Sequence, residues 1–250
     1  TVAALIEFCE AHRIGLIVPT RDGELTWFAE AKAALRDRGI SVMVSDRTGL
    51  ERCLDKLAFG ALEGAIPAYE RLEDGTAERL VVKERFGAGS QSVGVDLSRE
   101  EAARRAADME TPIFQPYVKG EEVSVDAYIT RDGFPKALVM RTRDVVVNGE
   151  SQVTSTFEDE ALEDAFGTVF ESLNLTGHVM VQAILDGSKK IHLIECNPRF
   201  GGASTLSVRA GVDSFYWAYL ESMGENLAEY PYIRWGEDLT QVRYPEDLVK

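Results

Sequence analysis

Along the first 46 residues, apolar and polar positions follow two periods in turn. Val2, Leu5, Ile6 and Cys9 recur at helical spacing over 2–13. A short apolar run, Gly15-Leu16-Ile17-Val18-Pro19, follows before a turn at Asp22-Gly23. ELTWFAEAKAALRDRG predicts a second helix, stopped by Gly39 at its C-cap position, with a strand over 40–44. Helix–strand–helix–strand with short connections predicts a parallel sheet wrapped by helices, the last half of a small α/β domain. The chain opens without Met on what reads as mid-element sequence, so an upstream segment is expected.

After residue 46 the pattern changes. One helix is predicted around 50–62, broken by Gly64 and Pro67. From Leu80 the chain reads strand (LVVKERF), glycine turn (GAGSQS) and strand (VGVDL). A helix follows whose start carries a capping box, Ser98 with Glu101. The strands IFQPYV, EVSVDAYI and PKALVMRT come next, then a helix over 158–173 and a hairpin of HVMVQAILD and KIHLIECN around Gly187-Ser188. The remainder is expected to be mostly helix with a proline-containing tail.

Composition narrows the function classes. The 250 residues are 45% hydrophobic and 28% charged, the profile of an ordinary globular chain with a sizeable core. Asp and Glu outnumber Lys and Arg by 42 to 27, a net charge of −15 that disfavours nucleic acid or an anionic membrane as partner. No run approaches the roughly 18 apolar residues of a membrane span. Cys9, Cys53 and Cys196 are widely scattered with no CxxC pair, which points to a reducing cytoplasm.

Two clusters carry candidate chemistry. The turn Gly87-Ala88-Gly89-Ser90 lies between two strands, so it is neither a dinucleotide fingerprint nor a Walker A loop, both of which need a helix N-terminus. A glycine-rich flap between strands can still lay backbone N–H groups over phosphates, and Lys83 on the incoming strand is placed to pair with them. Alone, such a hairpin is more often only a turn, and a lone strand lysine is usually solvated. In Glu195-Cys196-Asn197-Pro198-Arg199, strand alternation puts Glu195 and Asn197 on one face. If the hairpin turns about Ser188-Lys189, Gln182 falls directly across from Glu195, about 5 Å away at Cβ. One carboxylate and two amide oxygens are hard donors suited to Mg²⁺ carried by nucleotide phosphates; a solvent-facing polar strand end is the competing reading. Cys196 alternates away as a core filler, and His178 and His192 read as satisfied structural residues.

Lys56, Lys83, GAGS, QPYV, Gly120-x-Glu122 and Gln182 with Glu195-x-Asn197-Pro-Arg199 occur in an order and spacing that resembles the ATP-grasp superfamily. The ECNPRFGGAS stretch is most similar to the carbamoyl-phosphate-synthase-like ligases. The resemblance implies an α/β (α+β) fold in which two α+β lobes grip ATP. Residues 1–46 would be a partial preATP-grasp domain and 47–250 the ATP-grasp domain, with a glycine-flap lobe at about 78–114 and a metal-binding lobe at about 115–250. By the same resemblance, Lys56, Lys83, Gly87, Gly89 and Ser90 meet phosphates. Gln115, Tyr117 and Val118 form the adenine hinge, and Glu122 binds ribose. Gln182, Glu195 and Asn197 would ligate Mg²⁺ or Mn²⁺. Arg199, Arg141 and Arg143 would be the catalytic cations, and 201–204 the loop that closes on an acyl substrate.

The implied activity is ATP-dependent ligation of a small carboxylate to an amine or related nucleophile through an acyl-phosphate. A phosphotransferase on the same fold stays open, as does a non-catalytic ATP-binding half of a split synthase. A homodimer is one assembly the resemblance allows. Gln182 stands where the family often has an acid, and Glu84 follows Lys83 where proline is common.

Overall fold

The computed structural model describes residues 1–87, 93–234 and 238–244. Helix α1 (Val2–His12) is capped by the Thr1 hydroxyl, which accepts from Ala4 N–H. Strands β1 (Leu16–Ile17) and β2 (Ser41–Val42) pair in parallel across α2 (Asp22–Arg36), as the pattern predicts. Asp22 opens this helix and does not sit in a separate turn. The Glu24 carboxylate accepts from the N–H groups of Thr20 and Arg21, so the helix starts earlier than its apolar pattern suggests. Cys9, Leu25, Leu35, Ile40, Val44 and Leu50 close this core.

The single helix expected over 50–62 is two, α3 (Arg47–Leu54) and α4 (Lys56–Phe59). Asp55 separates them. Its backbone is extended, its side chain accepts from Leu57 and Ala58 N–H, and Arg85 grips it with two hydrogen bonds of 2.8 and 2.7 Å. The break presents Lys56 at the start of a new helix.

A three-stranded antiparallel sheet follows, in the order β4 (Gly94–Ser98), β3 (Arg79–Glu84), β5 (Pro112–Pro116). Helix α5 (Arg99–Ala106) packs on it through Ala102 and has the Ser98/Glu101 capping box. The boundary expected near 114 falls inside β5.

The large antiparallel sheet runs β11 (Ile191–Asn197), β10 (Gly177–Leu185), β6 (Glu121–Ile129), β7 (Pro135–Thr142), β9 (Glu150–Phe157), β12 (Thr240–Val242), with β8 (Val145–Val147) paired to β9. Strands β8, β9 and β12 are additions to the sequence reading. Helices α6 (Glu160–Ser172), α7 (Ser204–Arg209) and α8 (Ser214–Ser222) complete the chain's main elements.

Period-2 alternation divides this sheet into two faces. Val123, Val125, Ala127, Val179, Val181 and Met140 point to α6 and pack on Leu162, Phe166 and Phe170. The opposite face carries Glu122, Ser124, Asp126 and Tyr128 on β6, with Ile184, Gln182, Met180 and His178 beside them on β10. Its far end is apolar, where Tyr128 and Val139 meet Trp217 and Leu220. The polar middle is the part that an ordinary core would not contain.

Gly120, at the entry to β6, has no room for a side chain: a Cβ there would lie 2.3 Å from the Leu185 carbonyl oxygen. Gly120→Ala should therefore destabilise the chain by about 1–3 kcal/mol through overpacking. A thermal midpoint unchanged from wild type would contradict this placement.

Candidate active site

Gln182 lies directly across from Glu195, as the spacing predicts, but the pairing has a local cause. Nearer the turn the register is one residue shorter, and a bulge leaves Ile194 unpaired between the Ala183–Leu193 and Gln182–Glu195 pairs. The bulge returns Glu195 and Asn197 to the polar face and sends Cys196 into the core beneath. The freed Ile194 carbonyl accepts from Lys83 Nζ at 3.4 Å, which ties the three-stranded sheet to the large one.

Between the two sheets lies a cavity of about 500 Å³. Lys56, Lys83, Gly87, Gln115, Tyr117, Val118, Glu122, Arg143, Gln182 and Glu195 all line it. Gly89 and Ser90 lie outside the described residues. Lys56 donates to the Gly87 carbonyl at 2.6 Å, holding the start of the glycine turn. Burial pushes the Lys83 ammonium down to about 8, with the nearby Glu195 carboxylate opposing the shift. At the other end, Tyr117 N–H donates to the Arg79 carbonyl. Alternation then turns the Pro116 carbonyl and the Val118 N–H away from β3, two residues apart on the cavity wall. The Gln115 side chain is spent on the Ile66 carbonyl.

Burial raises the Glu122 carboxyl above its ordinary value, and Arg143, 3.0 Å away, opposes that rise. When the Gln182 amide is oriented to satisfy both its ends, Nε2 donates to Glu195 and Oε1 accepts from Arg143. Asn197 Nδ2 also donates to Glu195, at 3.2 Å, while its oxygen accepts from Arg199. Glu195 thus sits between two amides. The set fits a divalent cation through one carboxylate, with both amides turning their oxygens inward and the remaining ligands coming from phosphate and water. Among the described residues, no group of three or more His, Cys, Asp and Glu forms a metal cage.

Beyond Glu195 the site continues into a second cavity of about 280 Å³, where Arg141, Asn197 and Arg199 join the wall. Arg199 makes a two-point ion pair with Asp22 at 2.6 Å, a partner that the reading of 1–46 did not foresee. Arg141 is buried against Asp126, with Nε to Oδ2 at 2.7 Å. Asp126 also accepts from His178 Nε2 at 3.1 Å, Ser207 at 2.8 Å, and Ser204. Ser204 in turn accepts from Gly201 N–H, fixing the glycine loop. His178 is therefore the satisfied structural residue expected, stacked on Phe200. Burial alone would raise the Asp126 carboxyl, but the Arg141 charge and the hydrogen bonds from His178 and Ser204 hold it well below the usual carboxylate range.

Residues 108–245, more than half of the chain, match a family described as ATP-grasp in the biosynthetic pathway with Ter operon. The chain belongs to the ATP-grasp family. Its fold is shared with solved structures at low sequence identity. The biotin carboxylase domain of Hydrogenobacter thermophilus 2-oxoglutarate carboxylase was solved as a dimer in complex with MgADP, ADP and bicarbonate. It matches with a TM-score of 0.75 at 15% identity, over 97% of this chain and 61% of that one. Campylobacter jejuni biotin carboxylase, in its β-γ-ATP complex, gives 0.69 at 14% identity over 91% and 58%. This ATP-grasp chain thus spans about three-fifths of the length of those relatives. Among the described residues, no helix is long and apolar enough to cross a membrane.

Sequence reasoning missed Asp22 and Asp126 as partners of the site arginines. An acid inside the apolar alternation of EVSVDAYI, two residues from Ser124, was the available signal. Because Arg141 is left uncompensated without it, Asp126→Ala should cost about 3–5 kcal/mol of stability. The Asp126 contribution is present at neutral pH. It is lost as the pH falls from the unfolded value near ~3.9 toward the depressed folded one. Denaturant unfolding of the variant checks this, and a loss below 1 kcal/mol would contradict it.

Proposed function

We propose that this ATP-grasp chain uses ATP and Mg²⁺ or Mn²⁺ to activate a small carboxylic acid as an acyl-phosphate and join it to an amine or related nucleophile. One observation carries the reading. The larger cavity and the arginine-lined cavity share Arg143, Gln182 and Glu195 as their common wall, so a nucleotide in one presents its terminal phosphate to an acid in the other.

In this reading Lys56, Lys83 and the glycine flap with Gly87, Gly89 and Ser90 hold the phosphates. The Pro116 carbonyl and Val118 N–H face adenine beside Tyr117, and Glu122 takes the ribose hydroxyls. Glu195, with Asn197 and Gln182, would hold the divalent cation, whose chemistry is charge compensation along the β- and γ-phosphates. Arg199, fixed by Asp22, is a stationary positive charge, while Arg141 and Arg143 face the acid. A carboxylate oxygen attacks the γ-phosphorus, the bond to the β–γ bridging oxygen breaks, and ADP leaves. The nucleophile then displaces phosphate from the acyl group. Position and charge are the protein's contribution. The Asp22–Arg199 pair also supports reading 1–46 as a partial preATP-grasp domain that completes the site.

Assays of ADP and phosphate release against a panel of small carboxylic acids, with and without an amine, test the reading. ADP and phosphate should both appear, in equal amounts and only with an acid present; ADP without phosphate would mean transfer to a hydroxyl acceptor instead. Lys83→Ala should weaken ATP binding by about 1.5–3 kcal/mol, since one desolvated cation facing phosphate is lost. An unchanged dissociation constant in calorimetry would remove Lys83 from the phosphate site. Glu195→Ala should abolish turnover while keeping much of the nucleotide affinity, because its charge matters most in the transition state.

A further inference from the structure

The smaller cavity is built for more than one carboxylate. Among the described residues, three polar groups in its wall are buried and without a hydrogen-bond partner, Arg141 Nη1, Arg143 Nε and Ser151 Oγ; of these Arg143 Nε has the Glu122 carboxylate beside it at 3.0 Å. A guanidinium N–H and a hydroxyl left unpaired in the interior each carry a desolvation cost, which an anionic acceptor beside each would relieve. Arg141 on β7 pairs with Thr156, whereas Ser151 lies five residues along β9 beside Gln152, so the two mark different ends of the cavity wall.

A second cation stands in the same wall. Arg243 follows β12, and its backbone N–H donates to the Gln152 carbonyl. Its guanidinium donates to Glu150 at 2.9 Å. It lies over Gly202, where an added Cβ would come within 3.1 Å of Nη1. Gly202 therefore leaves the Arg243 head open to the cavity where any other residue would crowd it. At about 280 Å³ the space falls just under the roughly 300 Å³ at which drug-sized sites begin. A one-carbon or two-carbon acid would leave much of it to water and would not reach both Arg141 and Arg243.

We propose that the acid taken by this chain is a short dicarboxylate, with one carboxylate received by Arg141 and the other by Arg243 and Ser151. The choice of site rests on the ligase reading above, whereas the choice of ligand rests on the two cationic ends of the cavity. Glu150, beside Arg243, gives that end a carboxylate for an ammonium group, so acidic amino acids fall within the class.

Calorimetry with the ADP·Mg²⁺-loaded protein tests this without turnover. The probes are succinate, glutarate, aspartate and glutamate, against acetate, propionate and bicarbonate. At least one dicarboxylate should bind about tenfold or more tightly than every monocarboxylate. Arg243→Gln should remove that preference while leaving the nucleotide dissociation constant unchanged, which shows that the variant is folded. Ser151→Ala should weaken dicarboxylates more than monocarboxylates. Monocarboxylates binding as well as dicarboxylates, an unaltered preference in Arg243→Gln, or no acid binding at all would overturn the proposal. A dicarboxylate that binds but releases no phosphate would instead overturn the ligase reading and leave this one standing.

Discussion

The site depends on a carboxylate buried in the middle of a sheet. Asp126 has no exposed surface and faces a guanidinium, an imidazole and two hydroxyls at once. An isolated charge so placed would cost several kcal/mol. The cost is offset only because every partner is itself fixed: Arg141 by its strand, His178 by Ser214, Ser204 by Gly201 N–H and Ser207 by helix α7. The same bonds that compensate Asp126 aim Arg141 at the smaller cavity and anchor the 201–204 loop beside it. A hydrophobic residue at 126 would pack, but it would leave Arg141 without a reason to stay.

The rest of the arrangement follows from strand periodicity. One face of the large sheet is given wholly to the α6 core. The other grades from Glu122 and Ile184 through Gln182, Glu195 and Arg141 to Asn197 and Asp126, then to His178 and Tyr128, and ends in the packing around Trp217. In the proposed reaction, order along the strands becomes order from nucleotide to acid. The bulge at Ile194 is the one irregularity that this grading needs. Without it Glu195 and Asn197 would face the α6 core, and Cys196 would occupy the site.

Much of this was legible in the chain. The alternation in IECN placed Glu195 and Asn197 together, and the capping box at Ser98 marked α5. The ordered set from Lys56 to Arg199 identified the family, although each member alone was ambiguous. Other features were present but passed over. Val145-Val146-Val147 before Asn148-Gly149 is the signal of a tight hairpin, and both turn residues adopt positive φ, yet β8 and β9 were not assigned. The break at Asp55 was readable as an N-cap inside an apparent helix. Asp22 and Arg199 are different. They are 177 positions apart, and no local pattern announces a pair that only the tertiary fold brings into contact. The same holds for Arg243 over Gly202.

The central claim is that the shared wall of the two cavities puts a carboxylate oxygen in line with the γ-phosphorus. Supplying the acid with ¹⁸O in its carboxylate and analysing the products by mass spectrometry tests it most directly. Direct attack requires one labelled oxygen to leave with the released phosphate, because the carboxylate oxygen that bonds to phosphorus is the one the acyl carbon gives up when the nucleophile attacks it. Label retained wholly in the ligated product, with unlabelled phosphate, would contradict the account.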